Sequence, residues 1–392
     1  MSIEGEIKIN ITVRGKGIQS IAITSSRPLQ ITKIFAKKSI QAVSKTMNIL
    51  YQLCNTAHRF AFLSLLKQSN VIELSKNEIL AYQLLLDLET IKEHCFSIAS
   101  KWSGDNTIDT NVVSVLATIK QISTTLFTDC DPLGINDKRL TSFDNIKALV
   151  LLLEQQLQIF LIGKRSSEVL SGVSIFANID NFNQWLDIGT SSSAIFLRGL
   201  KENKLSDLGN VDAVYLSNLS TNEMSNMLDN PDFIKHPTDG NKPCETTPYS
   251  RQIDKPLIQQ LTAANGSGLL SRSVAQLLEI FTLFDKVNTD YIAIKSEDIC
   301  YQVQYPMHST NALNQLEAAR GKLIHQVSIG SDCVNNYQIL SPTQWNFHPK
   351  GILYAMIKSL NFENKQDLSN KVKLLVDAID PCVGYSIAVD YA

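Results

Sequence analysis

Two thiols set the chemical question. Cys54 lies in Leu53-Cys54-Asn55-Thr56-Ala57-His58, four residues ahead of an imidazole that shares its face if the segment is helical. Cys382 follows Asp380-Pro381 close to the C-terminus. A thiolate is a soft donor suited to iron, nickel, copper or zinc, whereas a buried neutral cysteine is simply a small hydrophobe; each cysteine taken alone reads either way. Arg320, in Leu316-Glu317-Ala318-Ala319-Arg320-Gly321-Lys322-Leu323-Ile324-His325, presents the same choice. Its guanidinium is an exposed partner for a nearby carboxylate or a planar fork held over an anionic ligand, a geometry lysine does not reproduce. His58, His94 and His325 are satisfied core histidines or ligands. Cys95, Cys130, Cys244, Cys300 and Cys333 are scattered, and no Cys-x-x-Cys pair occurs, which argues against a disulfide framework and against a self-contained zinc or iron-sulfur site.

For Cys54, Arg320 and Cys382 to act together, elements far apart in the chain must converge. The opening alternates Ile7, Ile9, Ile11 and Val13 with Lys8, Asn10 and Thr12, and Gly15 and Gly17 supply turn chemistry before alternation resumes, so a β hairpin is expected within 1–28. From about 32 to 164 apolar residues recur at three- and four-residue spacing, notably over 78–102 and 111–127, and long helices are expected. The apolar stretch 146–162 is broken by Lys147, Glu154 and three glutamines; it falls short of the roughly 20 apolar residues of a membrane span and reads as a buried helix. Over 199–256 the chain turns polar, with Asn230-Pro231, His236-Pro237, Asp239-Gly240 and Lys242-Pro243 as breakers, and reads as a long irregular insertion. Helix is expected again over 255–287, a second hairpin over 321–340 and a last helix over 365–379. The fold expected is mainly α with small β hairpins, an α+β single domain spanning 1–392, in which 316–392 forms the C-terminal segment.

Composition narrows the partners. The 392 residues are 44% hydrophobic and 19% charged, enough apolar material for a sizeable core. A formal net charge of -2 leaves no basic field for a phosphate backbone, so nucleic acid is not expected, and no membrane segment is expected either. The opening residues, with Glu4 and Glu6, are neither a basic-then-apolar signal peptide nor a twin-arginine leader; a cytoplasmic location is expected.

Order along the chain adds a resemblance. Ile3-Glu4-Gly5 is similar to the Ile-Glu-Gly-His entry strand of nickel-iron hydrogenase large subunits. Cys54 to His58 resembles that family's Arg-x-Cys-Gly-x-Cys-x-x-x-His motif, with Cys54 at its second cysteine and Tyr51 where the first should stand. The stretch 85–94 looks like the family's histidine-bearing helix, and 245–251 is faintly similar to Glu-x-Gly-x-Leu-Ala-Arg. Glu317-Ala318-Ala319-Arg320-Gly321-Lys322-Leu323-Ile324-His325 is close to Glu-Ala-Pro-Arg-Gly-x-Leu-x-His, and Pro342-Thr343-Gln344-Trp345-Asn346 to Pro-Thr-Thr-Trp-Asn. The last family motif, Asp-Pro-Cys-x-x-Cys-x-x-His, keeps Cys382, but Tyr385 replaces its second cysteine and Ala388 its histidine.

This resemblance implies a hydrogenase large-subunit-like helical core from which half of the metal thiolates are gone. In the family four thiolates hold nickel and two of them bridge to an iron carrying cyanide and carbon monoxide. Tyr51 and Tyr385 are poor substitutes toward a soft divalent metal, so no nickel is expected. Iron already bearing diatomic ligands needs few protein donors. By resemblance Cys54 and Cys382 would hold an Fe(CN)2(CO) unit transiently, Arg320 would lie beside one cyanide, and Pro342 and Thr343 beside the other. His58, Glu4, His325, Tyr51 and Tyr385 are possible supporting residues. The sequence ends four residues after Ala388, so the removable extension of family enzymes is not expected. The combination is similar to large-subunit-like accessory proteins of hydrogenase formation, the HupK and HoxV type. It implies a non-enzymatic maturation scaffold whose partners are maturation chaperone and iron-assembly proteins and the hydrogenase large subunit. A catalytically inactive structural or electron-transfer subunit of a redox complex, and a redox enzyme with an altered metal site, are the alternatives.

Overall fold

The structure is a computed structural model that describes residues 5–103, 108–128, 130–163, 172–216 and 219–392. Glu4, and with it the start of the entry-strand motif, lies outside the described residues. About 52% of the chain is helical, and the described residues form three small sheets, which is the mainly α, α+β architecture expected.

The centre is built on three helices, Asn55–Gln68, Lys76–Lys101 and Leu269–Asp290, which share one apolar core. The last two are buried on several faces and cannot leave their polar side chains unpaired, so His94 Nε2 meets Glu279 Oε2 across the helix pair at 2.8 Å. Residues 255–287 do not form one helix. Pro256–Asn265 ends at Gly266 (φ +62), where a Cβ would collide with Asn210, and Leu269–Asp290 starts afresh.

The N-terminal strands β1 (Glu6–Arg14) and β2 (Gly17–Ser25) pair antiparallel. Ile7, Ile9, Ile11 and Val13 turn inward against the helices Ile352–Lys358 and Lys365–Ile379, forming a second core. A small central sheet joins β3 (Phe127–Thr128), β4 (Lys138–Leu140) and β5 (Glu297–Ile299). The expected hairpin over 321–340 is instead a three-stranded antiparallel sheet, β6 (Thr310–Ala318), β7 (Gly321–Ile329) and β8 (Val334–Leu340). A strand that the sequence reading did not anticipate, β9 (Gly384–Tyr391), lies parallel to β1 with Tyr385 opposite Ile7. It ties the end of the chain to its beginning and thereby carries Cys382 to the N-terminal sheet.

The segment 199–256 is less irregular than its breakers suggest. Short helices occur at Thr221–Leu228, Pro231–Lys235 and Pro248–Gln252. Pro231 and Pro248 sit in the first turns of their helices, where a missing N–H costs nothing and the fixed φ favours helix, so prolines that read as breakers act here as starters. The 146–162 stretch is helical as expected, Lys147–Leu157 continuing into a single π turn at Gln158–Ile162, but it is not the buried helix expected: Val150, Leu153 and Leu157 face the core while Leu151, Leu152 and Ile159 are exposed. Among the described residues no helix is long and apolar enough to cross a membrane.

Candidate functional site

Cys54 ends a turn and caps the Asn55–Gln68 helix, but its side chain does no capping. The free amides of Thr56 and Ala57 are satisfied by Glu89 of the neighbouring helix, whose two carboxylate oxygens accept at 2.7 and 3.0 Å. This cap delivered from another element leaves the Cys54 thiol aimed at a crevice rather than at its own backbone. Cys54 thus stands at the helix entrance, the residue immediately before Asn55, and not inside the helix.

Cys382 is placed by Asp380. The helix Lys365–Ile379 stops there, with Asp380 in left-handed conformation (φ 55°) and Pro381 unable to continue it. The Asp380 carboxylate pairs with Lys101 and accepts from Ser97 Oγ at 3.3 Å, both on the Lys76–Lys101 helix, and lies 3.3 Å from Arg320 Nε. Its pKa is held down to about 2: burial alone would raise it, but Arg320 and Lys101 outweigh burial.

Arg320 occupies the tip of the two-residue turn between β6 and β7, where Ala318 pairs with Gly321. Gly321 is in left-handed backbone geometry (φ +129), and a Cβ there would lie 1.9 Å from the Thr246 carbonyl oxygen, so only glycine fits. Asn346 locks the same region: its Nδ2 donates to the Thr246 carbonyl at 2.8 Å and to the Arg320 carbonyl at 3.1 Å, while its Oδ1 accepts from the Thr246 amide. Three segments distant in sequence, around 246, 320 and 346, thus fix one another. The guanidinium donates from Nη1 to Glu93 Oε2 at 3.1 Å and reaches Asp380 from Nε without good hydrogen-bond alignment. Burial opposes the Arg320 charge, yet Asp380 and Glu93 raise its pKa above the ordinary value.

These placements converge on two adjoining narrow crevices. Cys54 and Cys382 line both. Arg320, Pro342, Thr343 and His58 line the second, and Tyr51 the first. The Thr343 hydroxyl is 3.0 Å from Cys382 Sγ. Burial, and next the neighbouring Cys382, push the Cys54 thiol pKa well up. Among the described residues no group of three or more histidine, cysteine, aspartate or glutamate side chains is arranged to hold a metal ion, so the sulfur pair stands without further carboxylate or imidazole ligands of that kind.

The supporting residues divide. Tyr51 stacks on His58 with ring centroids 3.7 Å apart and planes 10° off parallel, and burial lifts its phenol pKa to about 12, so it stays neutral beside the thiols. His58 Nδ1 lies 2.9 Å from His325 Nε2, and His325 Nδ1 lies 2.8 Å from the Tyr337 hydroxyl, a buried relay that ends behind the crevice wall. His325 itself does not line the crevices. Tyr385 is placed elsewhere: on β9 its hydroxyl donates to Asp377 of the Lys365–Ile379 helix at 2.7 Å, and it lines neither crevice. The alternating pattern of β9 explains this, since the residue three beyond Cys382 joins a strand instead of turning back toward the sulfur. His94 likewise pairs with Glu279 rather than with the crevice.

Sequence reasoning missed Arg27. It follows β2, its Nη1 donates to Ser341 Oγ at 3.1 Å and approaches Cys382 Sγ at 3.6 Å, and it lines both crevices. Gly5 (φ +79) lets the entering chain pass against the Arg27 backbone, where a Cβ would come within 2.6 Å. Nothing in Ser26-Arg27-Pro28 signals a site; a clue lies only in the coincidence of Gly5 and Arg27 flanking the same strand pair. Glu89, Glu93 and Asp380 were also passed over as functional positions, although Asp380 belongs to a quoted motif.

Comparisons with known proteins follow the same lines. The family described as nickel-dependent hydrogenase matches residues 259–387. The hydrogenase expression/formation protein HupK of Bradyrhizobium diazoefficiens is 22% identical over 390 residues, covering 99% of this chain and 97% of that protein. HoxV of Cupriavidus necator, also a hydrogenase expression/formation protein, is 38% identical over 80 residues, 19% of this chain and 21% of that one. The Ni-Fe-Se hydrogenase from D. vulgaris Hildenborough in the reduced state superposes with a TM-score of 0.70 at 15% identity, covering 94% of each chain, a likeness of fold alone. The chain thus has a fold like that of the nickel-iron hydrogenase large subunits and is similar in sequence to the hydrogenase expression/formation proteins named HupK and HoxV.

Proposed function

We propose that the protein takes part in hydrogenase maturation, as its relatives' names state for them, and that it acts as a scaffold transiently holding an Fe(CN)2(CO) unit for delivery to the hydrogenase large subunit. The observation that carries this reading is the meeting of Cys54 and Cys382 in one crevice beside the Arg320 guanidinium and the Thr343 hydroxyl. The two sulfurs are the donors to iron. Arg320 and Thr343 supply hydrogen bonds to the cyanide nitrogens, and charge-assisted bonds of this kind contribute about 1.5 to 3 kcal/mol each. His58 faces the cargo as a neutral imidazole, because burial, and then His325, push its pKa well below the ordinary value.

The donor set does not fit a resident nickel centre of the four-thiolate kind. Tyr51 is a neutral phenol, and Tyr385 is turned away to Asp377. The reading therefore includes no hydrogenase reaction, a cytoplasmic place of work, and partners drawn from the maturation chaperone and iron-assembly proteins together with the large subunit. The test is infrared spectroscopy of anaerobically purified protein co-produced with the maturation machinery. Cyanide and carbon monoxide stretching bands are expected for the wild type, and they are expected to vanish in both Cys54→Ala and Cys382→Ala. Retention of the bands, or of hydrogenase maturation in cells, by both variants would overturn the proposal.

A further inference from the structure

We infer that β9 is a self-association edge: two copies of this chain pair β9 against β9 antiparallel about a twofold axis at Ala388, joining their N-terminal sheets into one. Such a pairing depends on the sheet alone, whatever the crevice holds, and it braces from a second side the strand that leads away from Cys382.

The hydrogen-bond phase of the N-terminal sheet leaves this edge open. The Ala392 amide donates to the Val13 carbonyl at 2.9 Å, and β9 runs parallel to β1 without a register shift, from Gly384 opposite Glu6 to Tyr391 opposite Val13. In a parallel ladder a residue bonds the two that flank its partner, so Ser386, Ala388, Asp390 and Ala392 use their backbone groups on β1. Tyr385, Ile387, Val389 and Tyr391 therefore point their amides and carbonyls away from it, and among the described residues no other strand pairs with β9. Edges that stay unpaired are commonly blunted by a lysine, a proline or a bulge. β9 carries no lysine or proline, and its ladder has no bulge. At the opposite edge the pairing of β1 with β2 is interrupted by a register shift between Thr12 and Val13.

The strand is also complementary to itself. With Ala388 on the axis, Tyr385 lies opposite Tyr391 of the second copy and Ile387 opposite Val389, all at positions whose backbone groups are free, so about eight hydrogen bonds join the chains. Aromatic and β-branched cross-strand pairs of this kind are favourable, and Tyr391, 59% exposed in the single chain, gains cover. The pairs continue the apolar face on which Tyr385, Ile387 and Val389 already pack into the second core. On the other face the two copies of Ala388 meet at the axis, where strands of an antiparallel pair approach most closely and a small side chain suits. Ser386 faces Asp390 of the second copy, a hydroxyl opposite the one charge in the strand, so no like charges oppose each other. The contact is narrow, and association in the micromolar range is expected.

Sedimentation velocity of the full chain across the micromolar range tests this, with circular dichroism confirming the fold of each variant. A concentration-dependent dimer is expected for the wild type. Ser386→Lys sets an ammonium opposite Asp390 of the second copy at two symmetric places, and Ser386→Asp sets a carboxylate there. Their dimer dissociation constants are expected to differ by about tenfold or more, with Ser386→Lys the tighter. A local effect on folding runs the other way, because Ser386 lies opposite Lys8 within the chain, which repels an ammonium and attracts a carboxylate. The same two changes at exposed Ser20 of β2 alter the net charge equally and are expected to leave association unchanged. A wild type that stays monomeric, Ser386 variants that associate alike, or a dimer that responds at Ser20 instead would each overturn the inference. The infrared test of the iron carrier reads out separately, so either result stands without the other.

Discussion

Acidification offers a quantitative check on the relay behind the crevice wall. His325 is fully buried between His58 and Tyr337, and burial lowers its pKa from the ordinary 6.5 to about 3. The unfolded chain therefore binds a proton at this ring near pH 6.5 while the folded chain declines it until about pH 3. Stability is fully present above the ordinary value and is lost as pH falls below it. At pH 5 the unfolded imidazole lies about 1.5 pH units inside its protonated range, which at 1.36 kcal/mol per unit is about 2 kcal/mol from this one residue. That is a sizeable part of a typical 5–15 kcal/mol. His58 acts in the same direction, and buried carboxylates such as Asp87 and Glu89, raised chiefly by burial, act in the opposite one. The residue is therefore isolated by difference: urea unfolding at pH 7 and pH 5 is compared for the wild type and His325→Gln. The wild type is expected to lose about 2 kcal/mol more than the variant over this interval, whatever the substitution costs at neutral pH. Equal losses in the two proteins would refute a neutral, proton-excluding His325.

Two further outcomes follow from the supporting structure. Gly321→Ala must displace the Thr246 carbonyl as well as hold a left-handed residue, so a loss of at least about 3 kcal/mol in chemical denaturation, or failure to accumulate as soluble protein, is expected. Lys138, buried among Tyr82 and the carbonyls of Pro132 and Gly134, has its pKa lowered by burial from 10.5 to about 8; the unfolded chain binds more protons between those values, so from pH 8 to pH 10 the wild type is expected to gain about 2 kcal/mol relative to Lys138→Met in urea unfolding, a difference that cancels the opposing titration of the buried thiols.

The parts of the site that were legible in sequence are those where a local rule and a function coincide. Arg320-Gly321 is one: the arginine is needed at a turn tip, and the glycine is needed because the Thr246 carbonyl occupies the place of a side chain. Pro342-Thr343 is another, with proline opening a short helix and the hydroxyl beside Cys382. The helices 76–101 and 365–379 declared themselves by apolar spacing. What escaped is long-range. β9 has an exposed, short pattern and pairs with β1 from the opposite end of the chain, so nothing local announces it. Tyr385 was matched to a lost cysteine by motif position, but strand geometry sends it to Asp377. Arg27 gains its role only from the packing of the β1–β2 pair against the Ser341 turn, a contact across more than three hundred residues.

On the proposed reading, a site that captures a metal fragment for transfer must also let it go, and the hydrogen bonding here would favour release. Four thiolates would hold iron and nickel in a closed set; two leave positions open for an incoming ligand from an acceptor. When the fragment departs, each sulfur has to return to an environment that tolerates it, or the vacated state would be too unfavourable to form. Cys382 has the Thr343 hydroxyl at 3.0 Å and the Arg27 guanidinium at 3.6 Å waiting for it. Cys54, with its pKa pushed up by burial, settles as a neutral thiol whose helix amides are already satisfied by Glu89. Meanwhile Arg320 cannot follow the cargo out, since Glu93, Asp380 and the Asn346 clamp on its backbone hold it whether or not a cyanide is present. The recognition elements are thus fixed and the thiols self-sufficient, so on the proposed reading the free energy of binding would be concentrated in two Fe–S bonds and a few hydrogen bonds. On the proposed reading, a competing large subunit with more thiolates would exceed that sum, which would give the transfer its direction.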